Sequence, residues 1–108
     1  MRRLLAPLLA LLVAVSCIGP KPEVRSATVA PPKEGKANVT VVVSNRGGGD
    51  GQIELKITLR DSTGAVVARE ETTRDLKGNE TITVVVEVQV PDDASELRVE
   101  VEAVYPPD

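Results

Sequence analysis

The chain has 108 residues, which is enough for one domain, and its formal net charge is −3. It contains no His, Trp or Phe and one Tyr, so any core must be built from Val, Ile, Leu and Ala. The net negative charge repels the phosphate backbone of nucleic acid, so nucleic acid is disfavoured as a partner. The one cysteine excludes an internal disulfide.

The first residues have the pattern of an export signal. Arg2 and Arg3 give a positive start, and an apolar run extends from Leu4 to Val15. A helix of that run would be about 18 Å long, too short to cross a hydrocarbon core of about 30 Å comfortably. We therefore predict a helical signal peptide at residues 1–16 and not a permanent membrane-spanning helix.

The signal ends in Ala14-Val15-Ser16-Cys17, which resembles the lipobox of prokaryotic lipoproteins. The resemblance implies that the chain is cut before Cys17 and that Cys17 carries fatty acyl chains such as palmitate. These chains would anchor the protein on the outer side of the cytoplasmic membrane, in the periplasm or at the cell surface. An ordinary signal-peptidase cut is the alternative, because Ala14 and Ser16 also suit it.

Residues 17–22 are predicted to form the lipidated cysteine and a tether, because Pro20 and Pro22 favour extended geometry. From Val24 onward, apolar residues recur at every second position, which is typical of strands with one buried face. Clean alternation covers the segments 36–45, 52–61, 79–90 and 96–105, and weaker alternation covers 24–30 and 65–73. Six or seven such strands predict an all-β fold, an antiparallel immunoglobulin-like β-sandwich at residues 23–105 followed by a C-terminal tail at 106–108.

Two turn and core motifs resemble the cell-adhesion-related, immunoglobulin-like (CARDB) domains of bacteria and archaea. They are the V-x-V-x-N-x-G strand end at residues 41–47 and the turn that contains Leu76 and Gly78. The segment LRDSTGAVVA at residues 59–68 is similar to the FxLYD domains of prokaryotic envelope proteins, although the F and Y of that motif are absent. These resemblances imply a fold and carry no catalytic residues.

The sequence offers no catalytic or metal-binding constellation. Without His, Ser-His-Asp and Cys-His arrangements are impossible, and zinc has no ligand cluster. Asp92 and Asp93 together with Asp50 could bind a cation weakly, but solvated turn residues are the simpler interpretation. Asn38 and Asn79 begin N-x-T sequons, which are either glycosylation acceptors or ordinary polar positions. We predict no enzyme activity, no cofactor and no metal.

The outward positions of the predicted strands divide into two classes. Those of 52–60 and 96–105 are mostly charged, whereas those of 37–44 and 81–90 are mostly uncharged. Depletion of charge marks the centres of protein interfaces, so Val42, Thr83 and Val85 are candidate binding residues. The alternative is that Val and Thr are simply good strand formers.

These observations predict a membrane-anchored lipoprotein of the cell envelope that presents an immunoglobulin-like domain for adhesion or protein–protein interaction. Its partners would be the membrane, through the lipid on Cys17, and an envelope protein or a second copy of the chain. The alternative function is an accessory or chaperone-like subunit of an envelope transport or assembly complex.

Overall fold

The computed structural model describes residues 19–107. The predicted signal peptide, Cys17 and Asp108 lie outside the described residues. Within residues 19–107, no helix is long and apolar enough to cross a membrane.

The described chain forms six strands, each of which overlaps one of the six predicted segments, so the all-β prediction is confirmed. Alternating β-branched residues favour strands because their side chains pack well on a pleated surface. In chain order the strands are β1 (Pro22–Val29), β2 (Lys36–Asn45), β3 (Gly51–Arg60), β4 (Val66–Leu76), β5 (Thr81–Gln89) and β6 (Arg98–Val104).

The strands pair into two antiparallel three-stranded sheets. Sheet A has the order β1-β2-β5 and sheet B has the order β4-β3-β6. The sheets pack face to face, with β1 beside β6 on one side and β4 beside β5 on the other. The chain therefore crosses between the sheets after β2, β4 and β5, as an immunoglobulin-like sandwich requires.

The core lies between the central strands of the two sheets. Val39, Val41 and Val43 of β2 are fully buried, as are Ile53 and Leu55 of β3. Each such side chain stabilises the fold by about 1.5–3 kcal/mol relative to an exposed position. Their alternation with polar residues fixes the register, because a slip by one residue would expose the whole apolar set.

The loops gather at two opposite ends of the sandwich. We call the end where Gly19 lies the proximal end; it also contains the β2–β3 loop, the β4–β5 turn and the residues after β6. The distal end contains the β1–β2, β3–β4 and β5–β6 connections. Strand β2 joins the two ends, and its ten residues span about 30 Å.

The predicted tight turn Asp61–Gly64 is present at the distal end. The Gly64 N–H donates to the Asp61 carbonyl at 3.0 Å, and Gly64 has φ of 89°. Glycine suits this position because a Cβ is disfavoured at positive φ.

The inner side of the edge strand β4 is polar along much of its length. Arg74, Thr72 and Glu70 lie opposite the buried Ile53, Leu55 and Ile57 of β3, and therefore on the core-facing side of sheet B. Inward-pointing charged residues on an edge strand disfavour its pairing with a strand of another molecule.

Glu54 departs from the predicted pattern. Its position on β3 faces outward, yet the residue is only 7% exposed. It lies on the central strand between Thr73 of β4 and Val104 of β6. Among the described residues its Oε1 atom has no hydrogen-bond donor, and the Lys56 Nζ is 3.8 Å away.

Candidate interaction surfaces

The structure brings the three predicted binding residues together on the outer face of sheet A. Strands β2 and β5 are neighbours, Val42 lies opposite Thr83, and Val85 lies opposite Thr40. Val85 is 60% exposed and Thr83 is exposed, whereas Val42 is half-buried because it sits on the central strand. The predicted residues thus form one contiguous patch.

Strand β1 extends this patch in a way that the sequence analysis missed. Ser26 lies opposite Val42 and Thr28 lies opposite Thr40, after a register shift between Val24 and Ser26. The alternation in β1 is interrupted at that shift, so a strict period of two does not assign these positions to a face. We call the whole set the uncharged face, which consists of Ser26, Thr28, Thr40, Val42, Ser44, Thr81, Thr83 and Val85.

Ion pairs border the uncharged face at both ends. Lys36 Nζ is 3.5 Å from Glu87 Oε1 near the distal end, and Arg46 Nη1 is 2.9 Å from Glu23 Oε2 near the proximal end. The hydrogen bond from Arg46, together with the positive charges of Arg46 and Arg25, lowers the pKa of Glu23. A polar rim around a charge-free centre is the usual anatomy of a protein interface.

The outer face of sheet B is mostly charged. Lys56 lies opposite Glu102 of β6 and Glu71 of β4, and Arg60 forms an ion pair with Glu100. A shallow depression runs between these side chains. Exposed pairs of this kind add little stability, but they keep the surface well hydrated.

The proximal end is organised around Asn45, which is only 3% exposed. Its Oδ1 accepts hydrogen bonds from the Lys21 and Gly47 N–H groups, both at 2.9 Å. Its Nδ2 donates to the carbonyls of Gly49 at 2.8 Å and Lys77 at 3.0 Å. This amide therefore uses its full hydrogen-bonding capacity. The signal was present in the sequence, because the alternation of Val39, Val41 and Val43 places residue 45 on the buried face.

The residues predicted to be part of a tether pack against the proximal end. Gly19 and Pro20 are buried, and a Cβ on Gly19 would lie 2.6 Å from the Tyr105 ring. A Cβ on Gly49 would lie 2.8 Å from the Gly19 backbone. The packed domain thus includes Gly19, four residues before the expected boundary at 23, because glycines on both sides allow close backbone approach.

The three aspartates considered for a cation do not meet. Asp50 lies at the proximal end, where its Oδ1 accepts from the Gly78 N–H at 2.7 Å. Asp92 lies beside Gly35 at the distal end, about 30 Å away along β2. Among residues 19–107, no group of three or more His, Cys, Asp or Glu side chains could hold a metal ion.

No protein family model matches the sequence, and no curated protein matches it. The fold is similar to that of a DUF1425 family member from Shewanella sp. pv-4, with a TM-score of 0.61, 18% identity, and coverage of 79% of this chain and 78% of that chain. It is also similar to part of a glycosyl hydrolase family 2 member from Bacteroides cellulosilyticus DSM 14838, with a TM-score of 0.54 and 21% identity over 74% of this chain and 12% of that chain. A third similar structure is DesR, a β-glucosidase from Streptomyces venezuelae, with a TM-score of 0.52 and 21% identity over 80% of this chain and 15% of that chain.

At these identities the likeness shows the fold alone, and the chain spans only a small part of either enzyme. The resemblances to CARDB and FxLYD domains stay predictions. The described chain is an immunoglobulin-like β-sandwich, a fold that it shares with the DUF1425 family member.

Proposed function

We propose that this chain is a non-catalytic lipoprotein of the cell envelope, anchored through acyl chains on Cys17, and that its uncharged face binds a partner protein. The anchor is supported by the signal-like start and the lipobox-like Ala14-Val15-Ser16-Cys17. The absence of His from the sequence supports a role without catalysis, because most nucleophile–base pairs require it.

The observation that carries the proposal is the contrast between the two outer faces. Both are exposed sides of three-stranded antiparallel sheets in one small domain, and composition alone gives no reason for them to differ. Charge nevertheless concentrates on sheet B, and the uncharged face of sheet A has none at its centre. Charged groups are costly to desolvate. A protein partner that covers the uncharged face therefore meets a smaller desolvation penalty than one that covers the outer face of sheet B.

The size of the uncharged face bears on the kind of partner. It spans three strands over at most five residues of each strand, or about 17 Å, and so provides about 240 Å² of sheet surface. Two copies packed face to face through it would bury about 480 Å² in total, which is below the roughly 1,000 Å² of a stable interface. We therefore favour a different envelope protein, whose contact continues onto the polar rim, over a dimer of this chain.

The binding proposal is tested by placing charge on the uncharged face. The double variant Val42→Lys with Val85→Lys should lose a partner that co-purifies with the full chain from detergent extract of its native membrane. Thr73→Lys is the matched control, because Thr73 is exposed on the outer face of sheet B. Far-ultraviolet circular dichroism checks that all variants remain folded.

The outcomes separate the functional alternatives. A partner that is lost from the double variant and kept by Thr73→Lys supports binding through the uncharged face. Stoichiometric recovery of a transport or assembly complex would favour the accessory-subunit function, and binding of carbohydrate or whole cells would favour adhesion. Equal recovery with the double variant and with the unaltered chain would contradict the proposed surface.

A further inference from the structure

The proximal end combines the chain's attachment point with two features that suit a lipid surface. Resting on the proposed acylation of Cys17, we infer that this end lies directly against the lipid headgroups, with the strands standing away from the membrane and the distal end pointing outward. The sandwich is then held at a fixed height and orientation and does not swing on a tether.

The first support is the short length of chain between Cys17 and the packed domain. Gly19 is buried beneath Tyr105 and against Gly49, and the next residues are held by the backbone. The Lys21 N–H donates to Asn45 Oδ1 at 2.9 Å, and the Lys21 carbonyl accepts from the Arg46 N–H at 3.0 Å. Two residue steps separate Cys17 from Gly19 and reach at most about 7 Å. That distance is comparable with the thickness of one headgroup layer, about 5–8 Å.

The second support is the position of Tyr105. It is the chain's one aromatic residue, and it lies at the proximal end with 43% of its surface exposed. Its ring covers Gly19 and touches the position where a Cβ on Gly51 would lie, at 3.0 Å. Tyrosine is enriched at membrane–water interfaces because its ring is apolar and its hydroxyl is polar.

The third support is the distribution of charge between the two ends. The proximal end carries three exposed cations, Lys21, Arg46 and Lys77. It also carries four carboxylates: Glu23 pairs with Arg46, Asp50 accepts from the Gly78 N–H, Glu80 accepts from the Lys77 N–H, and Asp75 lies near the end of β4. The proximal end is therefore close to neutral. The distal end is acidic, and its loops carry Glu34, Asp61, Asp92, Asp93 and Glu96 against Lys33. Anionic lipids therefore repel the distal end more strongly than the nearly neutral proximal end.

The orientation can be measured with the chain's own tyrosine. The full acylated chain is reconstituted into phosphatidylethanolamine vesicles that contain phosphatidylglycerol and a lipid with a nitroxide on its headgroup. Nitroxide quenches fluorescence only at short range, so Tyr105 emission should fall at least several-fold. The variant Ser62→Trp adds an indole at the distal end, about 30 Å away, and its separately read emission should be nearly unaffected.

A second variant tests the charge contribution without altering the packed core of this end. Lys21→Gln with Lys77→Gln should reduce the quenching of Tyr105, and the reduction should disappear in vesicles without phosphatidylglycerol. Equal quenching of the tyrosine and the introduced indole, or stronger quenching of the indole, would overturn the orientation. Mass spectrometry of the mature N-terminus separates this failure from the other: an unacylated chain overturns the proposed anchor, whereas an acylated, vesicle-bound chain with unquenched Tyr105 overturns only the orientation.

Discussion

The two ends of the sandwich are closed in different ways. At the proximal end, one buried amide joins segments far apart in sequence, since Asn45 bonds Lys21, 24 positions away, and Lys77, 32 positions away. At the distal end, the exposed turn after β3 is held locally: Asp61 Oδ1 accepts from the N–H groups of Thr63 and Ala65, two and four positions along. The proximal end therefore depends on the whole fold, whereas the distal turn depends on its own few residues.

This difference teaches where the domain should tolerate change. A local turn can be replaced by another of the same length, because its hydrogen bonds form and break together with it. A buried polar hub, which is a side chain such as Asn45 that bonds several segments, cannot be replaced in this way. Its removal leaves several separate segments without hydrogen-bond partners. Three changes, in order of decreasing expected effect, test the contrast.

Removal of the hub should have the largest effect. Asn45→Ala leaves the N–H groups of Lys21 and Gly47 and the carbonyls of Gly49 and Lys77 without their partner, and should lower the free energy of unfolding by about 3 kcal/mol. Urea denaturation measures this loss. Asn38→Ala on the same strand is the control and should change stability by less than about 0.5 kcal/mol, because Asn38 is exposed. Similar losses of unfolding free energy in both variants would contradict the role of Asn45 as a hub.

Disturbing the close approach of the Gly48 and Gly78 backbones should have the second largest effect on the free energy of unfolding. A Cβ on Gly78 would lie 2.3 Å from the Gly48 carbonyl oxygen, which cannot move aside without shifting the loop. Gly78→Ala should therefore cost about 2 kcal/mol of unfolding free energy. Gly48→Ala is a matched control on the other side of the same contact, and its Cβ would meet nothing within 4 Å. If calorimetry gives the two variants the same melting temperature, the contact is looser than described.

Lowering the pH should have the smallest of the three effects on stability. The hydrogen bond from the Thr63 hydroxyl lowers the pKa of Asp61, and the one from Arg46 lowers that of Glu23. A lowered pKa in the folded state stabilises the fold above the ordinary carboxyl value of about 4, and this stabilisation is lost as the pH falls through the folded value. Stability should thus decline modestly below about pH 4. Asp61→Asn should flatten part of this decline in urea titrations across pH, and an unchanged slope would count against the assigned cause.

The sequence was sufficient to predict the strands and most of their faces. Val39, Val41 and Val43 on β2, like Ile53 and Leu55 on β3, recur at every second position, with Val42 as the one apolar residue between them. A period of two is a property of each strand alone. The candidate patch of Val42, Thr83 and Val85 could be predicted for the same reason. The pairing of β2 with β5, which places these residues on one face, is expected for an immunoglobulin-like topology and is present in sheet A.

Features that depend on contacts between distant segments could not be predicted. Local composition favours extended chain at Gly19 and Pro20 and so predicts a tether, whereas the burial of Gly19 depends on Tyr105 and Gly49. The alternation along β3 predicts that Glu54 faces solvent, whereas its burial arises on the central strand of sheet B. In both cases the deciding neighbours lie on other segments, at least 19 positions away in the sequence.

The polar inner side of β4 has a consequence for contacts between copies of the domain. Valine-rich strands with free edges tend to add further strands from neighbouring molecules, and crowding accelerates this aggregation. Glu70 and Arg74 on the core-facing side of an edge strand would be stripped of water in any such stack, with no matching charge supplied by an apolar neighbour. We therefore expect Glu70 and Arg74 to disfavour the addition of a strand from a neighbouring molecule to β4.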